Sequence, residues 1–390
     1  MNISIIEKDA CTGCHACVAV CPVSCIKMQP NDMGFPFPVA DEQKCISCGK
    51  CIDSCEKTKV LPQLENQKIY AARNKSSSVI KNSASGGVFS ALSDAVLNEK
   101  RGVVVGSAFT EGMQVRHIIA ETFAERNRLR KSKYTYSFCD EKILFEVKSL
   151  LEKGRTVLFT GMPCQVSALN VYLNKDYKNL YCIDILCHGA ESPKLYFEYI
   201  KRLSRNGEVA DIDFRKPREG WRIFKTEVKY KSGKRVSGSS IQTYFNMFVK
   251  NLGLRHSCDT CVYASFNRVS DITLGDFWGI ENTPISDFDC IDGVSVVIVN
   301  TQKGMKLFDK ALEFLEVVES EKSHCVQDRL NGLKPVKKSY EFESEFLNSG
   351  YDFVAKKYAA KSLKLRISER LYENSFINHL RNSTKKLLKK

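Results

Sequence analysis

"RTVLFTGMPCQVSAL", residues 155–169, carries an apolar strand-like run straight into Met-Pro-Cys, and the reading of that run and of Cys164 decides the fold. Taken alone, a solitary cysteine after a buried run is most simply a small hydrophobe. The run itself has close parallels. RGVVVGSAF (101–109), NLYCIDILC (179–187) and GVSVVIVN (293–300) share its texture, short and almost continuously apolar, as in strands buried on both faces. Helical periodicity fills the intervals, at Val88, Leu92, Ala95 and Val96 and again at Ile143, Val147, Leu150 and Leu151. This alternation predicts an α/β core on a mixed sheet with some parallel pairing. Residues 223–238 read as a hairpin turning at Ser232-Gly233, and the texture after about residue 310 reads as helical and increasingly basic.

The composition is ordinary for a globular chain of 390 residues, 43% hydrophobic and 27% charged. No apolar stretch reaches spanning length, since the best run, Val294–Val299, is strand-sized. The opening MNISIIEKDACTGC lacks the basic start and apolar block of a signal peptide, so a cytoplasmic location is expected. Seventeen cysteines stand out. An odd number in a long chain without an export signal fits a disulfide framework poorly and fits bound metal or thiol chemistry well.

CTGCHACVAVCP places Cys11, Cys14, Cys17 and Cys21 in C-x2-C-x2-C-x3-C spacing, and CISCGKCIDSC repeats it at Cys45, Cys48, Cys51 and Cys55. Three closely spaced thiolates cap three irons of a cube, and in two-cluster bacterial ferredoxins the fourth cysteine of each run serves the other cluster. One 4Fe-4S cluster is therefore expected on Cys11, Cys14, Cys17 and Cys55, the other on Cys45, Cys48, Cys51 and Cys21. Structural zinc is the competing occupant, but it favours two separated pairs closing one tetrahedron. Glu56 stands where the second run would usually have proline, and Cys25 reads as a spare core thiol. Residues 1–62 are read as a ferredoxin-like dicluster head.

Three further cysteines lie in marked settings: Cys187 in ILCHGAESP, and Cys258 with Cys261 in HSCDTCVYASFNRVSDITLGDFWG. Together with SASGGVFSAL (83–92), KSKYTYS (131–137) and GMPCQ, they resemble, over roughly residues 70–310, the family of beta subunits of coenzyme F420 hydrogenases and dehydrogenases. Many members carry a ferredoxin-like head. The resemblance implies bound FAD beside a third 4Fe-4S cluster, with Cys164, Cys187, Cys258 and Cys261 as its candidate ligands. Two of these follow predicted strands, at the carboxyl edge where open α/β sheets build their sites. The other two form a C-x2-C bite. A packed thiol and a nucleophilic Cys164 activated by His188 remain alternatives.

The resemblance also places the FAD pyrophosphate at Ser85, Gly86 and Gly87. Glycines there permit close backbone approach, and the helix that follows points free N–H groups at an anion, though alone the pair is only a loop entering a helix. Lys131, Lys133 and Tyr134 are candidates to neutralise phosphate or flank the flavin ring, with a solvated basic turn as the alternative for Lys131. His188 and Gly189 adjoin a cluster ligand. His188 is the one candidate catalytic residue, against a satisfied structural histidine. Asp271, Asp276 and Trp278 in DITLGDFWG are expected to shape the same pocket.

These cofactors describe an iron–sulfur flavoprotein oxidoreductase, a reductase relaying electrons from a ferredoxin-like donor through clusters and FAD to an unknown small two-electron acceptor. The alternatives are an electron-transfer subunit of a larger redox complex and a metal-stabilised binding module. Residues 68–310 form the expected FAD and cluster domain, and 311–390 a helical basic C-terminal segment. Within it, residues 355–390 hold eleven Lys or Arg against Glu369 and Glu373, so the formal charge of +14 is largely local. Three clusters would bring the holoprotein to about +8. This tail is read as a peripheral membrane or acidic-partner contact, with a solvated helical end packed loosely on the core as the alternative, and no nucleic-acid partner is expected because no recognition motif accompanies it.

Overall fold

A computed structural model of the chain describes residues 2–215, 221–222, 224–325, 327, 329–330 and 339–360. The basic tail beyond residue 360 lies outside the described residues.

The head is a hairpin, β1 (Ile26–Pro30) against β2 (Pro36–Ala40), with the short helices Ala16–Ala19 and Lys50–Asp53 inside the two cysteine runs. A polar linker then enters the body. Its sheet comprises β3 (Lys68–Asn74), β4 (Gly102–Phe109), β5 (Val115–Ala120), β6 (Thr156–Gly161) and β7 (Leu180–Ile185). A small separate sheet follows: β8 (Val209–Asp213), β9 (Glu227–Tyr230) and β10 (Arg235–Ser237), the last two being the expected hairpin about Ser232-Gly233. The chain returns to the main sheet with β11 (Ile272–Asp276), β12 (Ser295–Val299) and β13 (Leu315–Ser320).

The main sheet has eight strands in the order β13-β3-β12-β11-β7-β6-β4-β5. β4, β6, β7 and β11 run parallel as neighbours, and antiparallel strands flank them on both sides. Two layers of helix explain the continuous apolar runs. Helices Val88–Leu97 and Gln302–Ala311 cover Val104, Leu158 and Val297 on one face. Helices Glu141–Glu152 and Pro163–Leu173 cover Val103, Val157 and Phe159 on the other. Strands buried on both faces need no polar alternation.

All four parallel strands therefore end at one edge. β12 begins there, with Ser295 opposite Asp276, and β3 ends there, with Ala72 opposite Ser295.

The expected change to a wholly helical texture at residue 310 does not occur, because β13 pairs with β3 along Leu315–Ser320. Helix Ser339–Tyr358, kinked at Gly350, packs Phe342, Phe346, Tyr351 and Val354 into the core of the small sheet. Met33 and Phe35 of the head join that same core, so head and body share buried surface.

Candidate functional site

The cysteines of the head gather crosswise into two cavities. Cys11, Cys14, Cys17 and Cys55 line one cavity of about 290 Å³. Cys21, Cys45, Cys48 and Cys51 line a second, narrower one, where Cys21 leans onto Cys25 with the sulfurs 3.4 Å apart. Left-handed backbone at Gly13, His15, Ser47 and Gly49 wraps each run around its cavity and turns amides toward sulfur. Gly13 N–H donates to Cys11 Sγ at 3.4 Å, and Ser47 N–H to Cys45 Sγ at 3.4 Å. The Ser47 amide holds the Cys45 thiol below its usual range, whereas burial pushes Cys14 up to about 12. Loading iron onto such thiols must release protons. Among the described residues no three His, Cys, Asp or Glu side chains are drawn together tightly enough to hold a metal ion.

The third set converges at the carboxyl edge of the sheet. Cys164 occupies the first turn of helix Pro163–Leu173, where Pro163 at the first helical position suits the fixed φ of proline. Cys187 follows β7, Cys258 closes a 3-10 turn His256–Cys258, and Cys261 lies three residues on. Burial pushes Cys164 well above its usual range, and the negative charges of Glu56, Cys187, Cys261 and Cys258 add to the effect. Cys187 and Cys258 rise to about 12 and about 11, again chiefly by burial. Ala190 N–H donates to Cys258 Sγ at 3.4 Å.

Beside this set opens a cavity of about 410 Å³ whose lining brings together Ser85, Gly87, Lys131, Lys133, Tyr134, Cys187, His188 and Gly189. Gly86 does not line it. Its role is close packing: a Cβ would stand 2.4 Å from the Ala72 carbonyl, and its N–H donates to Ser295 Oγ at 3.1 Å. Gly87, at φ +78°, caps helix Val88–Leu97 and opens the helix N-terminus to the cavity. Lys131 is ion-paired with Asp213, which partly spends its charge. Lys133 is enclosed, donates to the Arg130 carbonyl at 2.7 Å, and is pushed down to about 7 by burial. His188 donates Nε2–H to the Phe248 carbonyl at 3.2 Å, and burial lowers it to about 4, so at neutral pH it is an uncharged hydrogen-bonding group.

The lining residues Arg130, Arg215 and Phe224 carried no signal in the sequence. Arg130 faces the cavity beside Lys131 and has a buried Nε with no hydrogen-bond partner. Arg215 pairs with Asp276 at 2.6 Å, joining the small sheet to the end of β11. Trp278 and Phe224, ring centroids 5.7 Å apart, form an aromatic wall. Asp271, expected at the pocket, instead holds the Cys182 amide at 2.8 Å below it.

Residues 154–323 match the family described as the C terminus of the beta subunit of coenzyme F420 hydrogenase/dehydrogenase, and residues 10–59 match the 4Fe-4S dicluster domain. A subunit of the F(420)H(2) dehydrogenase of Methanosarcina mazei is 25% identical over 336 residues, 82% of this chain and 87% of that protein. An uncharacterized protein of Methanocaldococcus jannaschii is 23% identical over 78% of this chain and 88% of its own length. A chain of the F420-reducing NiFe hydrogenase complex of Methanosarcina barkeri superposes with a TM-score of 0.45 at 18% identity, covering 76% of this chain and 93% of that one.

Proposed function

We propose, since the chain belongs to the coenzyme F420 hydrogenase/dehydrogenase beta-subunit-like family and carries a 4Fe-4S dicluster head, that it is an iron–sulfur flavoprotein oxidoreductase. In this reading it works as the electron-transfer subunit of a redox complex, as the name of the Methanosarcina mazei relative makes that protein a subunit of a dehydrogenase. The supporting observation is the 410 Å³ cavity, which joins a helix N-terminus, the basic side chains of Arg130, Lys131, Lys133, Arg215 and Arg329, and the Cys187 edge of the third cysteine set.

The residues present fit FAD. Gly87 and the first-turn amides of helix Val88–Leu97, with Lys133, supply donors for a pyrophosphate, and Arg130 adds positive charge. Tyr134 and the Phe224–Trp278 wall offer flat apolar surface for a ring system. Clusters exchange single electrons and a flavin one or two, so the set would couple a one-electron donor to a two-electron acceptor. His188, uncharged and hydrogen-bonded to the Phe248 carbonyl, orients a polar edge rather than delivering a proton. The three cysteine sets would hold the clusters, with Cys21 turning from Cys25 to face the second. A ferredoxin-like partner and a small acceptor complete this reading.

Anaerobic purification tests it. The full chain is expected to carry about twelve irons and one FAD, and Cys164→Ser to carry about eight with the head signal kept. Iron near eight in the unaltered chain removes the third cluster, stoichiometric zinc overturns the iron–sulfur reading, and absence of flavin overturns the FAD site.

A further inference from the structure

The junction between head and body buries two charges of opposite sign. Arg255 is 2% exposed. Its Nε donates to the Cys11 carbonyl at 2.6 Å and one terminal nitrogen to the Pro36 carbonyl at 2.9 Å. Its guanidinium lies 4.3 Å from the ring centroid of Phe37 and 5.2 Å from that of Phe35. No carboxylate pairs with it among the described residues, and its other terminal nitrogen has no hydrogen-bond partner. That nitrogen rests on Gly13, where a Cβ would stand 3.0 Å away. Glu56, 3% exposed, lies at the same junction. Its carboxylate accepts from Tyr263 Oη at 2.6 Å and Thr12 Oγ1 at 3.1 Å, with Lys57 Nζ 3.7 Å away.

A guanidinium buried without a counter-charge is costly. The groups beside it that would turn anionic on loading with iron are the cysteine sets themselves. Arg255 holds the Cys11 carbonyl, and its own carbonyl accepts from the Cys258 N–H at 2.8 Å. Glu56 directly follows Cys55 and is held by Thr12, next to Cys11, and by Tyr263, two residues from Cys261. Each charge thus lies between the first head set and the third set. Reducing a cluster adds one negative charge, which a nearby buried cation favours and a nearby buried anion opposes.

We propose that Arg255 and Glu56 are paired positioning residues that set the reduction potentials of the two clusters facing each other across this junction. Arg255 supplies the positive charge that the reduced clusters need, and Glu56 limits it. The proposal rests on the reading that both cysteine sets hold clusters.

Electron paramagnetic resonance of the anaerobic full-length protein, titrated with dithionite, reads this directly. In Arg255→Gln the midpoint of at least one junction cluster moves to more negative potential, and Arg255→Lys restores most of the shift. In Glu56→Gln, a near-isosteric change, the midpoint moves the other way. The cluster on Cys21, Cys45, Cys48 and Cys51 keeps its midpoint in all three. If Arg255→Gln loses iron, Glu56→Gln carries the test alone. Unmoved midpoints at full iron content, or shifts of the same sign in both neutralised variants, overturn the proposal. Iron near eight in the unaltered chain instead removes the third cluster, a failure of the earlier reading that leaves the effect on the head cluster measurable.

Discussion

His117 shows how much a single side chain can matter through its own protonation. It is buried in the wall of the cavity, donating Nε2–H to the Thr160 carbonyl at 3.0 Å, bonded through Nδ1 to Ser137 Oγ at 3.0 Å, and stacked on Phe159. Burial lowers it to about 4. The unfolded chain takes up that proton near pH 6.5 and the folded one does not, so the contribution is complete above 6.5 and is lost as pH falls toward 4. Between pH 7 and pH 5 this amounts to about 2 kcal/mol. Thermal unfolding at the two pH values checks it: His117→Gln is expected to lose less stability on acidification than the native chain, and an equal loss refutes the assignment. Nothing in VRHIIA marks this histidine, because its partners are 20 and 43 residues away. The head cysteines were legible for the opposite reason. Their chemistry is written in local spacing, whereas Arg255 and Glu56 acquire their roles only across 244 and 207 residues.

At the scale of elements, the loop entering helix Val88–Leu97 separates two kinds of glycine. Gly87 needs its left-handed backbone, and alanine there costs about 1 kcal/mol while its Cβ presses on Asn74, Ser83 and Val79 at 3.2–3.3 Å and shifts the loop that enters the helix. Gly86 needs its missing side chain, and alanine there meets the Ala72 carbonyl and costs on the order of 1–3 kcal/mol. Gly87→Ala is therefore expected to lose flavin with a small drop in thermal midpoint, and Gly86→Ala to show the larger drop. Full flavin retention in Gly87→Ala, by absorbance of the purified protein, places the cofactor elsewhere. The interior strands were readable as apolar runs between periodic helices. β13 was not, because LEVVES is an edge strand whose Glu316 faces outward to pair with Arg73 at 2.7 Å. Charges interleaved with valines at an edge imitate the next turn of helix.

For the whole molecule, the position of the C-terminal boundary decides how the tail is tested. Lys250 Nζ donates to the carbonyls of Tyr358 and Ala360 at 2.6 Å each, and Asn246 to the Ala359 carbonyl at 2.8 Å. A cut after Val354, inside this packing, would damage the body, and the informative cut lies after Ala360. Among the described residues no helix is long and apolar enough to cross a membrane. Each basic residue near an anionic surface contributes ~1 kcal/mol. The shortened chain is expected to keep its iron and flavin while losing salt-sensitive adsorption to vesicles of anionic lipid. Full-length protein that ignores such vesicles at low salt ends the membrane reading.

The stitching of head to body also has a consequence in time. The Met33 carbonyl accepts from Ser192 Oγ, 159 residues later, and Cys11 waits 244 residues for Arg255. A ribosome adds roughly 5–20 residues per second, so the head emerges on the order of ten to fifty seconds before the surfaces that shelter it. Its cysteines spend that interval open to oxidants and stray metal, and Arg255 closes over the head only when about two-thirds of the chain has been made.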